Sequence, residues 1–174
     1  MDREKITEEI RLASEALREL PVICDAELIG DMYRCAAHFD WTFYARLYRK
    51  ADTLLCYYAR TECEWLMLGL FSPCQTFADT VAPKRNDYNT GKIICGIKRF
   101  PESKIADFQH VMAMEIPECR RNGFVLDGQT YFLRQYSGGK PVREIYTFSP
   151  MDYLASDESE RLVTLFDMIQ FDSE

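Results

Sequence analysis

Few residues of this chain have the types and spacing that chemistry needs. There are two histidines, and His38 follows Cys35 by three residues, so one helical turn could present both side chains to a metal ion. A zinc site needs four ligands, and Cys24 is the nearest further candidate. We therefore interpret Cys35 as a packed thiol and His38 as a surface or capping residue, and we predict no metal site.

The second histidine, His110, lies on a predicted helix over residues 101–116. A nucleophilic dyad with Cys95 or Cys119 would have to form in three dimensions, because nothing local marks either thiol as activated. Gly138-Gly139-Lys140 lacks the earlier glycine and the following Ser or Thr of a phosphate loop, so a hairpin turn explains it. The common hydrolase motifs are absent as well. The sequence predicts no catalytic residue and no cofactor, and an enzyme is the less favoured interpretation.

Side chains suited to binding alternate along two predicted strands. They fall opposite to apolar residues that a core should bury. Tyr and Arg are enriched at protein interfaces because they combine a large contact area with directed hydrogen bonds. The predicted binding residues are Tyr44, Arg46 and Tyr48 on one strand, Phe132, Arg134 and Tyr136 on the other, and Arg143 across the following turn. If the two strands are neighbours, the first six form one patch; alternatively, the tyrosines cover a sheet beneath a helix.

Turn residues and period-two runs predict the strands. Residues 124–148 contain two turn signals, Asp127-Gly128 and Ser137-Gly138-Gly139, between aromatic and β-branched runs. Residues 42–60 predict a second antiparallel hairpin, and residues 92–100 another strand. The run 64–71 is too short to distinguish a strand from a helix.

Apolar residues at spacings of three and four predict the helices. The expected bounds are about 3–19, ended by Pro21, then 102–115 and 157–169. Residues 25–38 are ambiguous and are compatible with another helix, interrupted by Gly30. Residues 72–91 predict a long loop.

These elements predict the fold class. At 174 residues the chain is expected to form a single α+β domain (residues 1–174). The predicted architecture is an antiparallel β-sheet with helices packed on one face.

Composition narrows the class of function. The net charge of −7 argues against a nucleic-acid binder, which needs a basic surface, and is compatible with a basic protein partner. The seven cysteines contain no C-x-x-C pair, and residues 1–20 have the charged pattern of a helix rather than of a signal peptide. The longest apolar run, residues 65–71, is too short to span a membrane. We expect a cytoplasmic protein with reduced thiols and no membrane contact.

The second half of the chain resembles a family layout. Residues 92–169 run from a strand to a helix, then to the motif Leu126-Asp127-Gly128-Gln129-Thr130-Tyr131-Phe132-Leu133, an aromatic strand and a closing helix. This order is similar to that of small uncharacterised bacterial α+β proteins, some of them immunity partners of toxins. The resemblance implies a non-catalytic bacterial protein that binds another protein.

Two interpretations of function follow. The first is an intracellular protein that acts by protein–protein binding, of the immunity or antitoxin kind. The alternative is a small-molecule-binding domain or an unrecognised enzyme, with a pocket between sheet and helices lined by Tyr and Cys. An open aromatic patch would favour the first interpretation, and a deep cavity with convergent polar groups the second.

Overall fold

A computed structural model describes six segments of the chain: residues 3–36, 41–63, 76–81, 91–116, 129–148 and 156–171. Six strands form one antiparallel sheet in the order β4-β3-β2-β1-β5-β6. The strands are β1 Glu27–Ala36, β2 Trp41–Lys50, β3 Thr53–Cys63, β4 Gly91–Pro101, β5 Gln129–Ser137 and β6 Lys140–Phe148. The helices are α1 Arg3–Ala16, continued by a 3₁₀ turn over Leu17–Glu19, α2 Phe77–Val81, α3 Ser103–Ala113 and α4 Ser156–Phe171. The predicted α+β class is confirmed.

Both predicted hairpins are present. Gly138 and Gly139 connect β5 to β6 with φ angles of 56° and 75°, the left-handed conformation that glycine adopts without steric cost. Ala51 and Asp52 connect β2 to β3, and Ala51 has a φ of 49°. Local turn chemistry and period-two alternation therefore predicted these four strands correctly.

The three predicted long helices are also confirmed. The apolar stripe of α1 is buried through Ile6, Ile10 and Ala13, and Leu17 continues it. Helices α3 and α4 begin and end within three residues of their predicted bounds. Spacings of three and four were sufficient because each helix is amphipathic.

The interpretation of residues 25–38 as a helix is wrong, because residues 27–36 form strand β1. This strand lies in the middle of the sheet and pairs with both β2 and β5. Met32 and Tyr33 are fully buried on opposite faces, so apolar residues do not simply alternate with polar ones. Pairing on both sides overrode the helix-like composition.

Helices cover both faces of the sheet, whereas the sequence prediction placed them on one. Ile6 and Ile10 of α1 and Phe77 of α2 pack in one core with Tyr33 and Tyr44. Side chains of α3 and α4 pack in the other core with residues such as Met32, Phe43 and Leu133. We call the face that carries Tyr33, Tyr44 and Tyr57 the tyrosine face. It packs against helices because most of the surface of a buried tyrosine is its apolar ring.

A buried carboxylate positions α1 against α2. Glu9 is 3% exposed, and its two carboxylate oxygens accept the backbone N–H groups of Phe77 and Ala78 at 2.6 and 3.0 Å. These groups belong to the first turn of α2, where N–H donors lack partners within the helix. The contact therefore fixes α1 relative to α2 on this face of the sheet.

Some predictions lie outside the described residues. These are the run 64–71, the Asp127-Gly128 turn and residues 72–75 and 82–90 of the predicted loop. Within that predicted loop, Phe77–Val81 form α2, a helix that the sequence did not predict. Among the described residues, no helix has the length and apolarity needed to cross a membrane.

Candidate binding surface

Two transverse rows of side chains cross the sheet face that α1 covers. Residues directly opposite each other in antiparallel strands share a face, so the register sets the rows. The charged row contains Arg46 of β2, Asp31 of β1, Arg134 of β5 and Glu144 of β6. The adjacent aromatic row contains Tyr44, Tyr33, Phe132 and Tyr146 from the same strands. Opposite charges therefore alternate across four neighbouring strands, which is the favourable arrangement for cross-strand pairs.

Asp31 is the centre of the charged row. The residue is 0% exposed. Its Oδ1 accepts the Tyr44 hydroxyl at 2.8 Å and Arg46 Nε at 3.1 Å, and its Oδ2 accepts the Tyr136 hydroxyl at 2.7 Å. A buried carboxylate is costly unless it has hydrogen-bond donors and a counter-charge. These three donors, one of them cationic, meet that requirement.

The helix α1 joins this network through Ser14. The Ser14 hydroxyl lies 3.2 Å from the Tyr44 hydroxyl, and Arg46 Nη2 donates to Ser14 Oγ at 3.4 Å. Because Tyr44 and Arg46 also bind Asp31, the position of α1 is coupled to the carboxylate beneath it.

Arg134 is held on the other side of Asp31. Its Nε donates to Glu144 Oε1 at 2.7 Å, and its Nη1 donates to the Tyr136 hydroxyl at 3.4 Å. The guanidinium also lies 5.1 Å from the centre of the Phe132 ring, within cation–π range. Arg134 is therefore fixed by contacts on three sides.

The surroundings of Asp31 shift the pKa values of Tyr44 and Tyr136 in the direction that favours the protonated hydroxyl. Burial, followed by the charge of Asp31, raises the pKa of Tyr44 well above its ordinary value. Burial also raises the pKa of Tyr136, and the Asp31 charge adds to the effect. Although burial alone would lower the pKa of Arg46, the neighbouring Tyr44 and Asp31 hold it above its ordinary value. At neutral pH both tyrosine hydroxyls are therefore protonated, and each donates a hydrogen bond to the Asp31 carboxylate.

The predicted binding residues divide into three groups. Tyr44 and Phe132 are buried in the core beneath α1, as the alternative interpretation of the tyrosines expected. The half-buried group comprises Arg46, Tyr48, Arg134 and Tyr136. Arg143 is exposed but donates to the Met114 carbonyl at 2.7 Å, just after α3, so it lies on the opposite face of the sheet. Arg143 does not belong to the patch, because the alternation of β6 directs Glu144 rather than Arg143 toward Arg134.

The two strands that carry the patch are not neighbours. Strand β1 lies between β2 and β5 and pairs with each of them. The residues still share a face because β1 places Asp31 directly between Arg46 and Arg134. Sequence reasoning missed both Asp31 and Glu144. Asp31 was hidden by the helical interpretation of its segment, although a lone acidic residue between apolar ones was a usable signal.

The structure describes some of the other histidine and cysteine candidates. His38 lies outside the described residues, and Cys35 is buried. His110 is exposed on α3, where its Nε2 lies 2.7 Å from Arg161 Nη1. Within the described segments, no three His, Cys, Asp or Glu side chains come together as metal ligands would.

Four described cysteines carry free thiols: Cys24, Cys35, Cys56 and Cys95. Cys24 is exposed, whereas Cys35 and Cys56 are buried. Burial raises the pKa of Cys56 to about 12, so its reactive thiolate is scarce at neutral pH.

We expect iodoacetamide to modify Cys24 of the folded protein rapidly and to leave Cys56 unmodified over the same period. Accessibility and the raised pKa of Cys56 both favour this difference. Peptide mapping by mass spectrometry measures each site, with urea-unfolded protein as the control in which both thiols react. Equal rates at the two sites in the folded protein would contradict the expected burial.

Comparison with protein-family models, with curated proteins and with solved structures gives no match to this chain.

Proposed function

We propose that this chain is a non-catalytic cytoplasmic protein that acts by binding another protein. The proposed recognition surface is the open part of the charged row with its tyrosines: Arg46, Tyr48, Arg134, Tyr136 and Glu144. The side chains of Arg46 and Arg134 are 29% and 25% exposed, so part of each side chain is available to a partner. Tyr and Arg in such a setting are the side chains that most often anchor interfaces.

The observation that carries this proposal is the buried carboxylate beneath the surface. Substituting a buried charged network by apolar residues often costs little or no stability, so such a network is not needed for folding alone. Here Asp31 holds Arg46 and Tyr136 in one orientation while leaving part of each side chain accessible. Side chains fixed before binding lose less conformational entropy in the complex, so the network favours recognition.

The charges of this chain indicate which charges a partner should carry. The net charge of −7 supports a basic protein, since opposite net charges speed association. The surface itself alternates in sign, so the partner needs both an acidic group for Arg134 and a basic group for Glu144. The resemblance of residues 92–169 to immunity partners supports a bacterial toxin as that protein.

The proposal is tested with Arg134→Ala after the partner has been identified by affinity capture from the native host. We expect binding to weaken by about 2 kcal/mol, more than tenfold in Kd, if Arg134 is an anchor. The free energy of unfolding should change by no more than about 1 kcal/mol, because the ion partner of Arg134 is a partly exposed glutamate.

Arg143→Ala is the matched control. Arg143 belongs to the same hairpin but lies on the opposite face. This variant should bind the partner as tightly as the unmodified protein. A folded Arg134→Ala protein with undiminished affinity would overturn the proposed surface.

A further inference from the structure

A groove lies on the same sheet face as the charged row, at the β3–β4 side of the sheet, and adjoins the proposed recognition surface where the Tyr48 and Tyr57 ring centres are 5.5 Å apart. Its volume is about 750 Å³, within the range of roughly 300–1,000 Å³ that small-molecule sites occupy. One wall is the segment 21–24, which follows the 3₁₀ turn, and the floor is formed by β3 and β4. The lining residues include Val22, Cys24, Lys50, Tyr57, Ile97 and Arg99.

Two hydrogen bonds hold the wall in place above the sheet. The Tyr57 hydroxyl donates to the Pro21 carbonyl at 2.6 Å, and Lys50 Nζ donates to the Cys24 carbonyl at 3.1 Å. The groove is therefore shaped by contacts within the chain. Small-molecule sites are usually pre-formed in this way, because ordering the site on binding costs affinity.

The groove is apolar along one part and cationic along the other. In the apolar part, Tyr57 of β3 lies opposite Ile97 of β4. The next pair on the same face is Leu55 opposite Arg99, and Arg99 is the first cation of the cationic part. Lys50 lies opposite Thr53, one further pair toward the β2–β3 turn. Val22 is 87% exposed and Ile97 is 39% exposed, so apolar surface is open to solvent at the first part. Of the described lining residues, two are cationic and none is acidic.

We infer that this groove binds an amphipathic carboxylate, a small molecule with an extended apolar body and one anionic group. The body contacts Val22 and Ile97, whose apolar side chains are open to solvent, and the carboxylate reaches Lys50 and Arg99. Burial of the apolar body supplies the affinity, while Lys50 and Arg99 orient the carboxylate, since no acidic residue is among the described lining residues. This site goes beyond the proposed protein-binding function, since it lies toward the opposite edge of the sheet from Arg134 and Glu144.

The test uses dodecanoate, below the concentration at which it forms micelles, and isothermal titration calorimetry on the full chain. We expect saturable binding of one molecule, and at least tenfold weaker binding of dodecanol and of butyrate. Dodecanol keeps the apolar body without the charge, and butyrate keeps the charge with little apolar body. Bound dodecanoate should also slow alkylation of Cys24, whose exposed thiol lines the groove.

Variants locate the site. Arg99→Gln and Lys50→Gln should each weaken dodecanoate binding at least tenfold, with unfolding curves confirming that both proteins remain folded. The matched controls are Arg143→Gln and Lys140→Gln, exposed residues of β6 at the other edge of the sheet, which should bind dodecanoate normally. Equal weakening by the controls, or an absence of dodecanoate binding, would overturn the inference. Binding of an acidic aliphatic peptide without binding of dodecanoate would also overturn it.

Discussion

Asp31→Ala is expected to lower the free energy of unfolding by about 3 kcal/mol, because it removes the shared acceptor of three hydrogen bonds and the ion partner of a partly exposed arginine. The substitution leaves the Tyr44 hydroxyl inside the core without the carboxylate that accepts it. It also leaves Arg46 without its ion partner and frees the Tyr136 hydroxyl. Urea denaturation followed by circular dichroism measures the change.

A double-mutant cycle with Tyr44→Phe isolates the hydrogen bond. Tyr44→Phe alone should cost about 1–2 kcal/mol, because the hydrogen bond goes to a charged acceptor. In the Asp31→Ala background the same change should cost less, since only the 3.2 Å contact between the Tyr44 and Ser14 hydroxyls is then lost. Additive effects of the two changes would show that Asp31 and Tyr44 are not coupled, contrary to their 2.8 Å contact.

Phe108→Ala is expected to lower the free energy of unfolding by about 3–5 kcal/mol, the usual cost of truncating a buried phenylalanine. Phe108 of α3 is 1% exposed and packs against the sheet in the core shared with α4. Phe171→Ala on α4 is the matched control, because that ring is 58% exposed and should lose at most about 1 kcal/mol. A similar loss for both variants would contradict the burial of Phe108.

Gly30 of β1 explains why the Phe108 ring can approach the sheet so closely. A Cβ atom at position 30 would collide with Phe108 Cζ and would lie 3.0 Å from the Arg134 carbonyl oxygen. Gly30→Ala should therefore cost about 1–3 kcal/mol by overpacking. Combined with Phe108→Ala, it should cost much less, because most of the collision is with the ring. If the free-energy changes of the two substitutions were strictly additive, the Phe108 ring would not contact position 30.

The hairpins and the amphipathic helices could be predicted because their signals are local. Gly138-Gly139 supplies positive φ angles within two residues, and the apolar stripe of α1 is complete within five turns. Neither feature depends on what lies across the sheet. The bounds of these elements were correct for that reason.

Strand β1 and the arrangement of the binding residues could not be predicted in the same way. Both faces of β1 are buried, so polar and apolar residues do not alternate along it. In the sequence, Gly30 is compatible with an interrupted helix, and only the tertiary structure shows that it makes room for the Phe108 ring. The order of strands joins β1 to β5 across more than ninety residues of chain, a pairing that no short window of sequence contains.

By itself, the sequence determined the α+β class, the two hairpins, the long helices and the enrichment of Tyr and Arg on alternate strand positions. Tertiary structure decided which of those side chains are open. Packing of α1 buried Tyr44 and Phe132, and insertion of β1 placed Asp31 between Arg46 and Arg134. The reason is physical: secondary structure follows from periodicity and turn chemistry along the chain, whereas burial and charge pairing depend on segments that meet only after the sheet has formed.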